Sequence, residues 1–265
     1  MRSRAALFFF SILAVASTAL AGLAYNFEST TTGVGARTMT GSVRAEGSKV
    51  RVTIGKGDGI LFKDGSVVVS TDGGQTLAVM DPATKSYYDL DLGELLGDGL
   101  SKQLGGTVSF DIQNPRVAVR DRGDAGKVEG YPVRMSVLDS SYTLAVDFMG
   151  QKMPMKINMS TEVLWTDRLG AEFTNFLQLR GMRTGIDAVD KIISAQSAGI
   201  KGFPLHQKTT TRVEMNGNTM TSTATSKVSR IQKTKVTQSE FTLPAGYART
   251  ESPIQKMMKS FGSVR

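Results

Sequence analysis

The chain contains no cysteine. Disulfides, zinc–thiolate centres, a cysteine nucleophile and a lipidated N-terminal Cys are therefore all excluded. Histidine occurs once, at His206. A His-based metal centre would need more than one ring, and a Ser–His–Asp triad would have to be built on this one. The 32 Lys and Arg residues are scattered, with no basic cluster, so nucleic acid is not an expected partner. Beyond residue 24 no apolar run reaches the roughly 18 residues of a spanning helix, so the rest is read as soluble or peripheral.

What is present begins with a targeting pattern. "MRSR" is basic and "AALFFFSILAVAS" is apolar but short for a span. Small residues at Ala19–Ala21 offer a cleavage site, with Gly22–Ala24 as a second option and an uncleaved anchor as the alternative. Residues 1–24 are therefore read as a signal peptide that exports the chain. An exported chain without cysteine suits a bacterial periplasm or cell envelope, because eukaryotic exteriors favour disulfides. The formal charge is +8, and +6 without Arg2 and Arg4, enough for a weak attraction to an anionic membrane surface.

The 265 residues, 40% of them hydrophobic, fit one large β domain or two small ones. "KVRVTI" sets Val50, Val52 and Ile54 against Lys49, Arg51 and Thr53, the period-two pattern of a half-buried strand. Turn residues follow at "KGDG", "KDG", "TDGG" and "DPATK", which predicts an antiparallel meander. "DLGELLGDGLSKQLG" has leucines at helical spacing. Strands resume at "TVSFDI" and "RVAVRD", while "DRGDAGKVEG" reads as a loop. "MPMKINMSTEVLW" alternates cleanly, with Met153, Met155, Ile157, Met159, Thr161, Val163 and Trp165 on one face. Phe173, Phe176, Leu177, Met182, Ile186, Val189 and Ile193 form an apolar helical stripe, divided near Gly181 and Gly185 and stopped at Gly199. Two long strands then flank "NGN", a hairpin turn. With no composition shift between these segments, residues 25–250 read as one domain, followed by a polar tail at 251–265. The class is α+β, because helices interrupt one long antiparallel sheet.

The motifs favour bland readings. "GKGDG" lacks the ending and context of a phosphate loop. Asp89, Asp91, Glu94 and Asp98 fit no EF-hand spacing, and helix capping explains them as well as calcium does. The methionines at 149, 153, 155 and 159 could hold Cu(I) as thioethers, but their face continues with Ile157, Val163 and Trp165, as an apolar wall would. His206 lies on a polar strand face. No general acid/base pair stands out, so no catalytic residue, metal or cofactor is assigned and the chain is expected not to be an enzyme. "GYPV" at Gly130–Val133 and "GFPL" at Gly202–Leu205 share no nucleophile or ligand. They read as two strand starts, with Pro at the first strand position, where no ladder donor is needed.

The phrases "VVVSTDGGQTLAVMDPATKSYYDLD", "GYPVRM", "TEVLWTDRLG", "KGFPLHQ" and "SEFTLPAGY" resemble bacterial envelope proteins of the lipoprotein-carrier fold. These are the LolA/LolB-like proteins and a related envelope family of uncharacterised function. The resemblance implies a strongly curved antiparallel sheet, an unclosed β-barrel, with helices on its concave face and an acyl-binding interior. It implies no catalytic residues. The candidate lining is Met153, Met155, Ile157, Met159 and Trp165 on the strand, with Phe173, Phe176, Leu177, Ile186, Val189 and Ile193 on the helices. The expected ligand is a lipid, a lipoprotein acyl chain or another apolar molecule. The alternative is an envelope protein-interaction or sensor module with a packed, ligand-free interior.

Overall fold

The computed structural model describes residues 22–59, 61–91, 108–148, 151–169 and 186–256. The helical pattern at 92–104, most of the targeting segment, the first half of the 171–198 stripe and residues 257–265 lie outside the described residues.

Among the described residues one sheet dominates. Its first half is the expected meander: β1 (Gly22–Gly33), β2 (Arg37–Glu46), β3 (Lys49–Lys56), β4 (Val67–Ser70), β5 (Thr76–Asp81) and β6 (Ser86–Asp91). Its second half is built from longer strands: β7 (Val108–Val128), β8 (Tyr131–Phe148), β9 (Gln151–Thr166), β10 (Phe203–Met215) and β11 (Asn218–Thr234). The short β12 (Ala248–Arg249) pairs parallel to β6. The strand order is β12-β6-β5-β4-β3-β2-β1-β11-β10-β9-β8-β7. Two antiparallel meanders are thus joined by the β1–β11 ladder, which pairs Phe27 with Val228, and the sheet does not close on itself.

The alternation read in "KVRVTI" becomes burial. Val50 and Val52 are fully enclosed and Ile54 nearly so. They join Leu23, Tyr25, Phe27, Val43, Val68, Leu77, Leu90, Phe203 and Leu205 in the main core. Tyr25 and Phe203 meet edge to face, with ring centroids 5.4 Å apart, the preferred geometry of an aromatic pair. β1 begins at Gly22, so Gly22, Leu23 and Ala24, read as the end of the targeting segment, belong to the sheet, and Leu23 is fully buried. At the other end of the chain a single 3-10 turn, Gln238–Phe241, lays Phe241 against Val67, Val69 and Met80 in a second cluster.

Two local readings are corrected. "TVSFDI", "RVAVRD" and the supposed loop "DRGDAGKVEG" are one continuous strand, β7. Its register shifts between Gln113 and Arg116, between Asp121 and Gly123, and between Asp124 and Lys127. Bulges absorb the glycines and Pro115 that read as breakers. Pro132 and Pro204 occupy the second position of their strands, and each sits beside a bulge, where the missing N–H leaves no gap in the ladder. Gly130 lies in the β7–β8 turn, where Glu129 and Gly130 have φ of 52° and 82°. Asn216 and Gly217, at 51° and 78°, make the same kind of turn between β10 and β11, as "NGN" predicts.

Helix α1 (Asp187–Ala198) is the only helix of this length among the described residues, and it packs on β7. It ends at Gly199, but not through a left-handed cap, because Gly199 has φ −77°. Glycine is needed there for closeness: a Cβ would lie 2.4 Å from Val119 Cγ1.

Candidate functional site

The candidate site is the face of β7–β11 that carries α1. Side-chain hydrogen bonds identify that face. Ser136 on β8 donates to the Gly199 carbonyl at 3.2 Å, and Gln196 on α1 donates to Ser140 at 3.5 Å. Trp165 on β9 donates its indole N–H to Ser136 Oγ at 2.9 Å. The even residues of β8 and the odd residues of β9 therefore look toward the helix. The β8–β9 ladder runs without a register shift, as does β9–β10 after His206.

Cross-strand rows follow from that register. At the helix end, Ser136, Val163, Gln207, Ser226 and Ser29 are successive partners. The next row is Leu138, Thr161, Thr209, Ala224 and Thr31, and the one after it is Ser140, Met159, Thr211 and Ser222. These rows form a belt rich in serine and threonine, interrupted by Val163, Leu138, Met159 and Ala224. Ser29 and Ser226 hydroxyls pair at 3.0 Å, as do Thr161 and Thr209. Gln207 donates to Thr209 at 3.3 Å, while its carbonyl oxygen is shielded from solvent and has no hydrogen-bond partner among the described residues.

Beyond the belt the face turns apolar. Tyr142, Ile157, Val213 and Met220 form one row; Leu144 pairs with Met155, and Val146 with Met153. Along β9 this face grades from exposed Met153 through half-buried Met155, Ile157 and Met159 to buried Val163 and Trp165. Lys152, Lys156, Asn158, Ser160 and Glu162, which alternate with them, are all exposed. Met153 to Met159 spans about 20 Å at ~3.3 Å per residue. Most of this apolar stretch thus lies past Met159, whose partner Ser140 faces Gln196 of α1.

The structure brings Trp165 and the helix together but divides the rest of the candidate lining. Trp165, Val163 and Leu138 cluster with Ile200, just after α1. On α1 the buried side chain is Ile192; Val189 and Ile193, and Ile186 ahead of the helix, are half-buried. Phe173, Phe176 and Leu177 lie outside the described residues. Reading the sequence missed Tyr142, Leu144 and Val146, although "YTLAV" carries the same alternation, and missed Val213 and Met220, which only the hairpin register aligns with Ile157.

No His, Asp and Glu cluster capable of holding a metal occurs among the described residues. His206 is half-buried between its partners Leu164 and Lys227. Its pKa lies below 6.5 because burial disfavours the charged ring and Lys227 repels it. Burial also raises the Tyr142 phenol above its usual 10. Among the described residues no helix is long and apolar enough to cross a membrane.

No family model matches the chain, and no curated protein does. Thirteen chains of solved structures are similar to this one, two of them as follows. The first is a structure of PNGF-II, at 13% identity and TM-score 0.35, covering 89% of this chain; the chain spans 32% of that protein's length. The second is a LolA superfamily protein from Nitrosomonas europaea, at 10% identity and TM-score 0.32, covering 84% of this chain and 90% of that one.

Proposed function

We propose that the chain is a non-enzymatic cell-envelope protein that holds a lipid, a lipoprotein acyl chain or another apolar ligand on the helix side of the β7–β11 hairpins. The observation that carries this reading is the apolar rows at Tyr142–Met220, Leu144–Met155 and Val146–Met153. They are exposed or half-buried on a strand face whose other end is sealed by Trp165 and α1. In this reading the sheet curves around this face, with α1 on its hollow side. Each enclosed methylene contributes ~0.8 kcal/mol, so a chain of eight to ten carbons along these rows would bind usefully. The main core is closed, with Leu23, Ala45, Val50, Val52 and Val68 fully buried, so cargo occupies the far half of the sheet. Export by the expected signal peptide would put this binding in the periplasm or envelope, where the excess of basic residues favours approach to anionic lipid surfaces.

Native mass spectrometry of protein extracted gently from its envelope tests the reading. The expected result is adducts in the mass range of acyl lipids that disappear on organic extraction. A uniformly ligand-free protein, combined with no uptake of a fluorescent fatty acid, would count against it. That outcome would support the packed interaction module instead, which the closed core favours.

A further inference from the structure

The opposite face of the same hairpins carries a second feature. Asp139 and Ser141 on β8, Asn158 and Ser160 on β9, and Thr210 and Arg212 on β10 alternate with the helix-facing residues and so look outward. With Arg116 on β7 they line a depression of about 480 Å³. One side of it is a straight cross-strand row: Arg116 pairs with Ser141, Ser141 with Asn158, and Asn158 with Arg212; Ala118, Asp139, Ser160 and Thr210 form the other, with Val117, Ser140 and Met159 between them. At ~4.8 Å per strand the two arginine backbones stand about 14 Å apart, with a hydroxyl and an amide between them. Long side chains wall the depression and small ones floor it, which is why it is open.

The β7 bulge places Arg116 there. The register shifts between Gln113 and Arg116, and Asn114 takes φ 53° within it. A bulge bends its strand and re-aims the following side chain. Arg116, Ser141, Asn158 and Thr210 have no side-chain hydrogen bond or ion pair among the described residues. Arg212 engages Glu214 through Nε at 3.1 Å, leaving its terminal amino groups outside that pair. Asp139 is already neutralised by Arg120 and accepts from Ser160 at 2.7 Å. Lys156 lies one row further on, opposite Glu214. Four cations, Arg116, Arg120, Lys156 and Arg212, thus face two carboxylates, Asp139 and Glu214, leaving two positive charges.

The geometry points to a binding site for a phosphorylated sugar. The dianionic phosphate sits between the Arg116 and Arg212 guanidiniums, whose forked donors match phosphate oxygens. The sugar hydroxyls meet Ser141, Asn158, Ser160 and Thr210, which offer both donors and acceptors. This site is independent of the apolar face, because it lies on the other side of the sheet.

Calorimetric titration of the full chain with glucose 6-phosphate at low ionic strength tests it, with glucose and inorganic phosphate as controls. Saturable binding at least tenfold tighter than that of inorganic phosphate is expected, with none for glucose. Arg116→Gln and Arg212→Gln should each weaken it at least tenfold, while Lys233→Gln, remote from the depression, should leave it unchanged. Both arginines are exposed, so the variants should keep the wild-type unfolding midpoint. Phosphatidylcholine vesicles with and without phosphatidylinositol 4-phosphate identify the source. Tighter, Arg116-dependent binding to the inositide vesicles assigns the sugar phosphate to a lipid headgroup; binding of glucose 6-phosphate alone assigns it to a soluble saccharide. No saturable binding of either probe, equal affinity for inorganic phosphate, or arginine variants that bind like the wild type would overturn the site.

Discussion

Trp165 and Ser136 are joined by a 2.9 Å hydrogen bond in the sheet interior, and Ser136 passes the connection to the last turn of α1 by donating to the Gly199 carbonyl. Ser136 is 1% exposed and Trp165 5%, so neither polar group has water as a substitute. Replacing Ser136 with Ala should cost about 1–3 kcal/mol, because the buried indole N–H loses its acceptor. Trp165→Phe removes the donor instead and should cost less than Ser136→Ala if the smaller ring packs well. Trp165 is the sole tryptophan, so its emission reports the Ser136→Ala variant directly. Urea unfolding, followed at that emission for Ser136→Ala and by far-ultraviolet circular dichroism for Trp165→Phe, checks both magnitudes. An unchanged Ser136→Ala midpoint would mean that this bond does not fasten the helix.

Gly199 supplies a second test of the same docking. Its backbone angles suit any residue, so Gly199→Ala probes closeness alone. The added Cβ would stand 2.4 Å from Val119 Cγ1 and 3.1 Å from Cγ2, and a β-branched side chain has little freedom to yield. The variant should be destabilised by about 1–3 kcal/mol through overpacking. Adding Val119→Ala should recover most of that loss. A double variant as unstable as the single one would place the strain elsewhere.

The same two contacts show what the sequence could and could not disclose. The faces of β3 and β9 were legible, because alternation is a local property that burial then enforces. The Asn216–Gly217 turn was legible because two successive positive φ values demand such residues. Ser136 was not, because a serine inside "RMSVLD" looks like an outward position until Trp165 is placed across the strand. Gly199 was read as a helix stop, correctly placed but for a reason that only Val119 supplies. The continuous β7 was hidden by Pro115, Gly123 and Gly126, which break strands in general but are tolerated at bulges. The β1–β11 ladder that joins the two meanders links residues about two hundred positions apart, and no local pattern encodes it.

The proposed apolar surface predicts a separation of binding from stability. Met155 and Ile157 are half-buried, so Met155→Glu and Ile157→Asp should each lower stability by no more than about 1 kcal/mol. Each should nevertheless reduce fatty-acid uptake at least tenfold, because a carboxylate in the row cannot be solvated once an acyl chain covers it. Lys156→Glu, on the opposite face, serves as the control and should leave uptake unchanged. Fluorescence titration with a labelled fatty acid, alongside urea unfolding, checks this. Equal uptake by all three variants would remove the acyl chain from this face.

His206 gives a prediction in pH. It is the sole histidine, so its ring resonances can be followed by NMR without assignment. Burial disfavours its charged form first, then Lys227 and Lys208 oppose the proton while Glu162 favours it. Its midpoint should therefore fall below 6.5. Lys227→Gln should move the midpoint up, and Glu162→Gln should move it further down. The consequence for stability has a definite sign. With the folded value depressed, the unfolded chain takes up the proton first as pH falls. The contribution of His206 is thus complete above 6.5 and declines as pH drops from there toward the folded midpoint. His206→Gln should flatten the stability profile across that interval and leave its shape at higher pH alone. A midpoint at or above 6.5, or an upward slope in stability on acidification, would show that Glu162 outweighs both the burial and the two lysines.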